Sequence, residues 1–265
     1  LLSGAVSPHR HVPAMARNAA VADSVAAHWV FRLNGVGKTW LAPDKQFQLW
    51  VPQLNIRAGA QIAVLGRSGC GKSTLLDILA MTLEPDVCGT FSFAPHEREG
   101  IDIGKVWGKR RLDRLAGLRG RHIGYVLQTG GLLPFLTVRD NIELPRQVCG
   151  MAREDATEML AERLNISDQL DKLPGALSVG QRQRAAVARA LAHEPTVILA
   201  DEPTASLDPQ TAGEVMELVV SLAAQRNITL VVASHDWQGV TDLGMVQLQH
   251  KQVEGTGKLR SVFQT

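Results

Sequence analysis

Short apolar runs recur along the chain with helical patterns between them. Residues 62–65 (IAVL), 123–127 (IGYVL), 196–200 (TVILA) and 229–233 (TLVVA) are each only a few residues long and rich in β-branched side chains. Runs of that length and composition predict strands buried on both faces. Separated by helix-length segments, they imply a mainly parallel sheet with helices on either side, an α/β fold. The first run leads directly to Leu75, Leu76, Ile78 and Leu79, which carry helical spacing.

Elsewhere the pattern changes period. Residues 29–54 alternate apolar and polar around a turn containing Pro43 and Asp44, and predict short antiparallel strands, with another strand at 90–93. Between 129 and 177 the strand signal disappears, and Met159, Leu160 and Leu164 recur on a helical period, which sets the inserted segment at about 129–190. This predicts a helical subdomain inserted into the α/β domain. The stretch MVQLQHKQVEGTG near the C-terminus reads as a final strand pair with a polar turn. Residues 1–27, Ala-rich but cut by prolines and basic residues, read as a loose tail before a domain over 28–265.

At 265 residues and 45% hydrophobic, the chain can bury one large core. Lysine and arginine number 28 against 26 acids, a balance that gives little support for a nucleic-acid partner. The basic run over 105–121, with only Trp107 as an interleaved aromatic, reads as a solvated helix. No stretch approaches the twenty or so apolar residues of a membrane span. Any work at a membrane therefore needs a second, spanning chain. Three cysteines without CxxC spacing suggest neither disulfides nor zinc, and point to a reducing cytoplasm.

The candidate chemistry begins with GRSGCGKST: Gly66, Arg67, Ser68, Gly69, Cys70, Gly71, Lys72, Ser73 and Thr74. It fits G-x-x-x-x-G-K-[ST] and sits after a strand and before a helix, the context a phosphate-binding loop requires. The glycines turn backbone N–H groups onto phosphate, and the helix N-terminus adds partial positive charge. Lys72 is placed for the β- and γ-phosphates and Ser73 for Mg²⁺. Cys70, beside Lys72 and a helix N-terminus, is expected to favour the thiolate.

In VILADEP, Asp201 and Glu202 follow an apolar strand. Asp201 can reach Mg²⁺ and Glu202 can polarise a water for attack on a γ-phosphate, so two adjacent acids point to hydrolysis rather than transfer. In LSVGQRQR, Ser178 and Gln181 have capping-box spacing and predict a helix start with Gly180 at its tip.

Taken in order, these segments resemble the ATP-binding cassette (ABC) family. The resemblance rests on the phosphate loop, Gln128 after a strand, LSVGQ at 177–181, VILADEP, SLD at 206–208, and His235 after LVVAS. It covers about 29–253 and implies a P-loop NTPase core with an antiparallel β subdomain. It also implies an ATPase that binds ATP and Mg²⁺. In the family's terms, Trp40 falls where an aromatic stacks on adenine, with Phe47 a competing choice. Gln128 senses Mg²⁺ and the attacking water, and His235 hydrogen-bonds the γ-phosphate. Ser178 and Gly180 close over the nucleotide of a second copy in a head-to-tail dimer, and Asp208 lies at the contact between copies.

One departure is Val179, where the family usually has glycine. A β-branched residue disfavours positive φ, so this position is expected to take an ordinary backbone conformation. Residues 118–145 and ILADEPTASLD look most like the branch of macrolide exporters, lipoprotein-release transporters and the cell-division ATPase. That likeness implies a peripheral subunit on the cytoplasmic face of a membrane, working with a permease on a separate chain. Leu132, Leu133 and Phe135 are the candidate permease anchors, with subdomain core as their other reading. A soluble ABC ATPase acting on nucleic acid or ribosomes is the alternative. A P-loop kinase has no role for Glu202 or the LSVGQ helix.

Overall fold

The computed structural model describes residues 28–42, 45–96, 100–152, 155–255 and 258–264. The expected tail at 1–27 and the turn residues Pro43 and Asp44 lie outside them.

A parallel sheet carries the centre of the molecule. Its strands are β3 (Gln61–Leu65), β6 (Ile123–Val126), β7 (Val197–Asp201), β8 (Thr229–Ser234) and β9 (Val246–Gln247), in the order β6-β7-β8-β3-β9. Alternate residues of these strands enter two separate cores: Val64, Leu199 and Val231 face one, and Ala63, Leu65, Ile198 and Val232 face the other. Both faces are buried, so the strands are apolar throughout rather than alternating.

On the first face lies α1 (Lys72–Leu79), whose Leu75, Leu76, Ile78 and Leu79 are fully buried. Beyond it is a second, mostly antiparallel sheet of β1 (Trp29–Ala42), β2 (Lys45–Arg57), β4 (Val87–Phe93), β5 (Ile101–Asp102), β10 (Gln249–Gly255) and β11 (Lys258–Gln264). The alternation over 29–54 thus becomes two long strands rather than several short ones, paired across the hairpin from Trp29 opposite Arg57 to Ala42 opposite Lys45. Short α2 (Ile103–Gly108) and α3 (Leu112–His122) hold the basic run, and α3 leads straight into β6.

The helical segment contains α4 (Val138–Val148), α5 (Ala156–Arg163) and α6 (Val179–Leu191), with two single 3₁₀ turns before α6. Its side chains enter the second core through Val138, Ile142, Leu160, Leu164 and Ala186. Two further helices, α7 (Pro209–Gln225) and α8 (Trp237–Asp242), follow β7 and β8 respectively. The C-terminal pair forms from Gln249 opposite Gln264 to Gly255 opposite Lys258, and Val246–Gln247, read from sequence as part of that pair, instead edges the parallel sheet.

Candidate functional site

The loop after β3 wraps the N-terminus of α1. Gly71 caps that helix with φ of 96°, and a side chain there would also meet Phe47, whose ring carbon lies 2.9 Å from where a Cβ would stand. Backbone conformation and space both require glycine. Gly66 is held from the other side: its added Cβ would lie 2.5 Å from Cys70 Sγ. Cys70 is therefore a buried packing residue of the loop. Burial raises its thiol above the ordinary value despite the neighbouring Lys72, which corrects the expectation of a thiolate.

Lys72 is buried, with 5% of its surface exposed. Its Nζ donates to the carbonyls of Gly66 at 2.8 Å and Arg67 at 3.3 Å, and pairs with Glu202 Oε1 at 3.0 Å. The other oxygen of Glu202 stands 2.6 Å from His235 Nδ1. Burial pushes the Glu202 carboxyl up, but the bonds to Lys72 and His235 outweigh it and hold the group below its usual range. Glu202 has φ of 46°, uncommon for a residue with a side chain, and its amide donates to Ala233 O on β8 at 2.9 Å. That turn of the backbone lifts the side chain from the strand line of β7 toward Lys72.

These residues line one cleft of about 740 Å³. Arg67, Ser68, Gly69, Gly71, Lys72, Ser73 and Thr74 form its floor; Gln128, Glu202, Ala205 and His235 form its walls. Phe47 completes the lining. Trp40 does not reach it: it sits directly opposite Phe47 across the β1–β2 ladder, with ring centroids 5.8 Å apart, and is 38% exposed. The competing choice, Phe47, is the aromatic at the cleft, and Trp40 extends the same apolar face at its margin.

Asp201 ends β7, one residue before Glu202, and is not among the residues that line the cleft. Its Oδ1 is buried without a hydrogen-bond partner among the described residues. An unpaired buried carboxylate oxygen is costly unless a cation meets it, so the site suits a divalent ion shared by Asp201, Ser73 and Gln128. No group of three or more His, Cys, Asp or Glu among the described residues could cage a metal alone. Substrate and water oxygens would complete such a shell, as suits Mg²⁺.

A second set of predicted residues lies outside the cleft. Ser178 caps α6 in a full capping box: its Oγ accepts from Gln181 N at 3.2 Å, and Gln181 Oε1 accepts from Ser178 N at 2.9 Å. The Ser178 hydroxyl hydrogen is still available to donate. Val179 takes the first helical position without positive φ, as expected. Gly180 packs against the start of α7, where a Cβ would stand 3.2 Å from Thr211 Cγ2 and 3.9 Å from Leu207. Asp208 caps α7 by accepting from Thr211 N at 3.1 Å, and hydrogen bonding to the Thr211 side chain first and to that amide second lowers its pKa. The helix tip and the SLD turn, distant in sequence, thus form one surface.

The loop following Gln128 is clamped from the helical side. Asn141, fully buried, donates to the carbonyls of Leu133, Leu136 and Thr137 and accepts from the Leu133 amide at 2.7 Å. Arg189 donates to the carbonyls of Gly130 and Gly131. Leu132 packs on the second core, Leu133 is half-buried, and Phe135 projects with 73% exposure. Of the three candidate anchors, Leu132 therefore belongs with the core and Phe135 is the exposed one.

The sequence model of the family described as ABC transporter matches residues 51–205. The chain belongs to the ABC transporter family. This ABC cassette is 37% identical over 213 residues to the macrolide export ATP-binding/permease protein MacB of Shigella flexneri, covering 79% of the chain but 31% of that protein. It thus spans about a third of the MacB relative. It is 38% identical over 202 residues to the lipoprotein-releasing system ATP-binding protein LolD of Legionella pneumophila (strain Paris), covering 75% of the chain and 84% of that protein. Among solved structures it resembles a dimeric, post-hydrolysis ATP-binding cassette bound to ADP and Pi, with a TM-score of 0.66 at 27% identity, over 87% of this chain and 97% of that one.

Proposed function

We propose that this cassette binds and hydrolyses ATP as a head-to-tail dimer and drives a membrane permease carried on a separate chain. The observation that carries the reading is Glu202 held between Lys72 and His235 in the wall of a cleft floored by the phosphate loop.

The chemistry follows from that arrangement. A triphosphate entering the cleft competes with Glu202 and the two loop carbonyls for Lys72. As Lys72 turns to phosphate, Glu202 loses the cation that depresses its basicity and keeps its bond to His235. The carboxylate is then ionised, oriented and basic enough to accept a proton from water, with Gln128 on the facing wall to align that water. His235 and the loop amides hold the γ-phosphate. Ser73, Asp201 and Gln128 would hold Mg²⁺, which when bound would neutralise charge at the phosphates. Ser178 and Gly180 of a second copy would cover the opening, with Asp208 at the contact.

Among the described residues no helix is long and apolar enough to cross a membrane. Attachment to the cytoplasmic face through a permease fits that fact, and Phe135, exposed on the loop clamped by Asn141 and Arg189, is the anchor we assign to it. The test is capture of tagged Glu202→Gln protein from detergent-solubilised membranes. A polytopic membrane protein should co-purify, and Phe135→Glu should abolish that capture while leaving nucleotide binding intact. Retention of ribosomes or nucleic acid instead would contradict the transporter reading.

A further inference from the structure

Tyr125, Leu199 and Asp201 project from one face of the parallel sheet. The register sets Tyr125 of β6 beside Leu199 of β7, and Asp201, two residues on, returns to the same side. This is the face covered by α1. After Lys72, Asp77 is the only charged residue of that helix, and it lies four residues beyond Ser73, on the same helical face and one turn deeper.

Asp77 Oδ1 accepts from the Tyr125 hydroxyl at 3.2 Å and faces the Thr82 hydroxyl at 3.4 Å. Tyr125 is the only tyrosine in the chain. Burial pushes the Asp77 carboxyl up, Tyr125 holds it back down, and the charge of Asp201 pushes it up again, so the two carboxylates feel each other. The Tyr125 phenol is itself driven far up by burial and by both acids, which keeps it a donor. Among the described residues no cation pairs with Asp77. Asp77 on α1 and Asp201 on β7, the latter with an unpaired buried oxygen, thus set two interacting carboxylates on one side of the sheet, with Asp77 one helical turn beyond Ser73.

We propose that Asp77 and Tyr125 are a positioning pair for the divalent cation: Asp77 adds negative potential one turn beneath Ser73 and beside Asp201, and the Tyr125 hydroxyl fixes that carboxylate in place. The pair rests on the nucleotide-binding reading of the cleft and deepens it. Its signature is a pair of opposite effects. A nearby negative charge tightens binding of a cation and loosens binding of a metal-free nucleotide, itself an anion. A merely structural contact would loosen both when removed.

The experiment uses the full chain with Mn²⁺ as the probe, measured by electron paramagnetic resonance with a non-hydrolysable ATP analogue at saturation. Asp77→Asn keeps an acceptor for Tyr125 and removes the charge; it should weaken Mn²⁺ binding by about three- to tenfold. Affinity for the analogue without divalent ion should hold or improve. Asp77→Glu should restore Mn²⁺ affinity to within about twofold, and Asp77→Ser is a second neutral variant should the amide destabilise the fold. Unchanged Mn²⁺ affinity in the neutral variants, or parallel weakening of Mn²⁺ and metal-free analogue, would overturn the pair. Wild-type protein that binds no analogue at all would overturn the reading of the cleft and the pair with it.

Discussion

Glu202 and His235 meet at 2.6 Å although 33 residues separate them, and the opposite oxygen of Glu202 meets Lys72 at 3.0 Å. The neighbouring strands β7 and β8 bring the acid and the imidazole together, and the helix after β3 supplies the lysine. Replacing Glu202 with Gln keeps the shape and removes the base. Turnover should fall by about two to four decades while ATP binding is retained, measured as phosphate release against equilibrium binding. Near-normal turnover would remove Glu202 from the role of base.

Phe47, and not Trp40, borders the cleft. Base–aromatic stacking contributes about 1–3 kcal/mol, so Phe47→Ala should weaken ATP binding by about tenfold or more in calorimetric titration. Trp40→Ala should cost less, because its ring supports Phe47 rather than the cleft. The reverse order would return the stacking role to Trp40.

Burial raises both the Cys70 and the Cys88 thiols, but Cys70 is buried whereas Cys88 is exposed, so access separates them. Maleimide should therefore label Cys88 well before Cys70. Cys70→Ala should retain most ATPase activity, because the sulfur fills space beside Gly66 rather than reacting. Rapid labelling of Cys70 with loss of activity would restore the thiolate reading.

His122 is buried between β6 and the neighbouring sheet, its ring edge-on to Phe93 and His96 and its Nδ1 3.3 Å from Thr196 Oγ1. Burial, then repulsion from His96, Arg121 and His193, pushes its pKa down to about 4 from 6.5. The unfolded chain therefore binds the extra proton first as pH falls. The contribution of His122 is fully present above about pH 6.5 and is lost toward pH 4, to a limit of about 3 kcal/mol. Denaturant midpoints should fall over that window, and His122→Phe should flatten the fall; an identical slope in the variant would assign the effect elsewhere.

Much of this was legible in the sequence, for reasons that particular residues make plain. Strands β3, β7 and β8 announce themselves because burial on both faces leaves no polar positions to blur the run. The phosphate loop and the cap at Ser178 are local devices, so spacing alone marks them. What sequence spacing could not give was contact across elements. Trp40 and Phe47 are equivalent as letters, and only the folded hairpin, with Phe47 lining the cleft and Trp40 directly opposite at its margin, separates them. Cys70 has cationic neighbours along the chain, but its burial against Gly66 outweighs them. The Asp77–Tyr125 bond joins α1 to β6 across 48 residues. Its one available signal was an acid among the leucines and isoleucine of the second half of α1.

In the proposed cycle two copies close head-to-tail over ATP, with Ser178 and Gly180 of one copy covering the cleft of the other. Sedimentation of Glu202→Gln protein with saturating ATP and Mg²⁺ tests it most directly. The account predicts a dimer with ATP, a monomer with ADP, and a monomer with either nucleotide when Gly180→Asp is added, although that double variant still binds ATP. A Glu202→Gln protein that binds ATP yet sediments as a monomer throughout would contradict it.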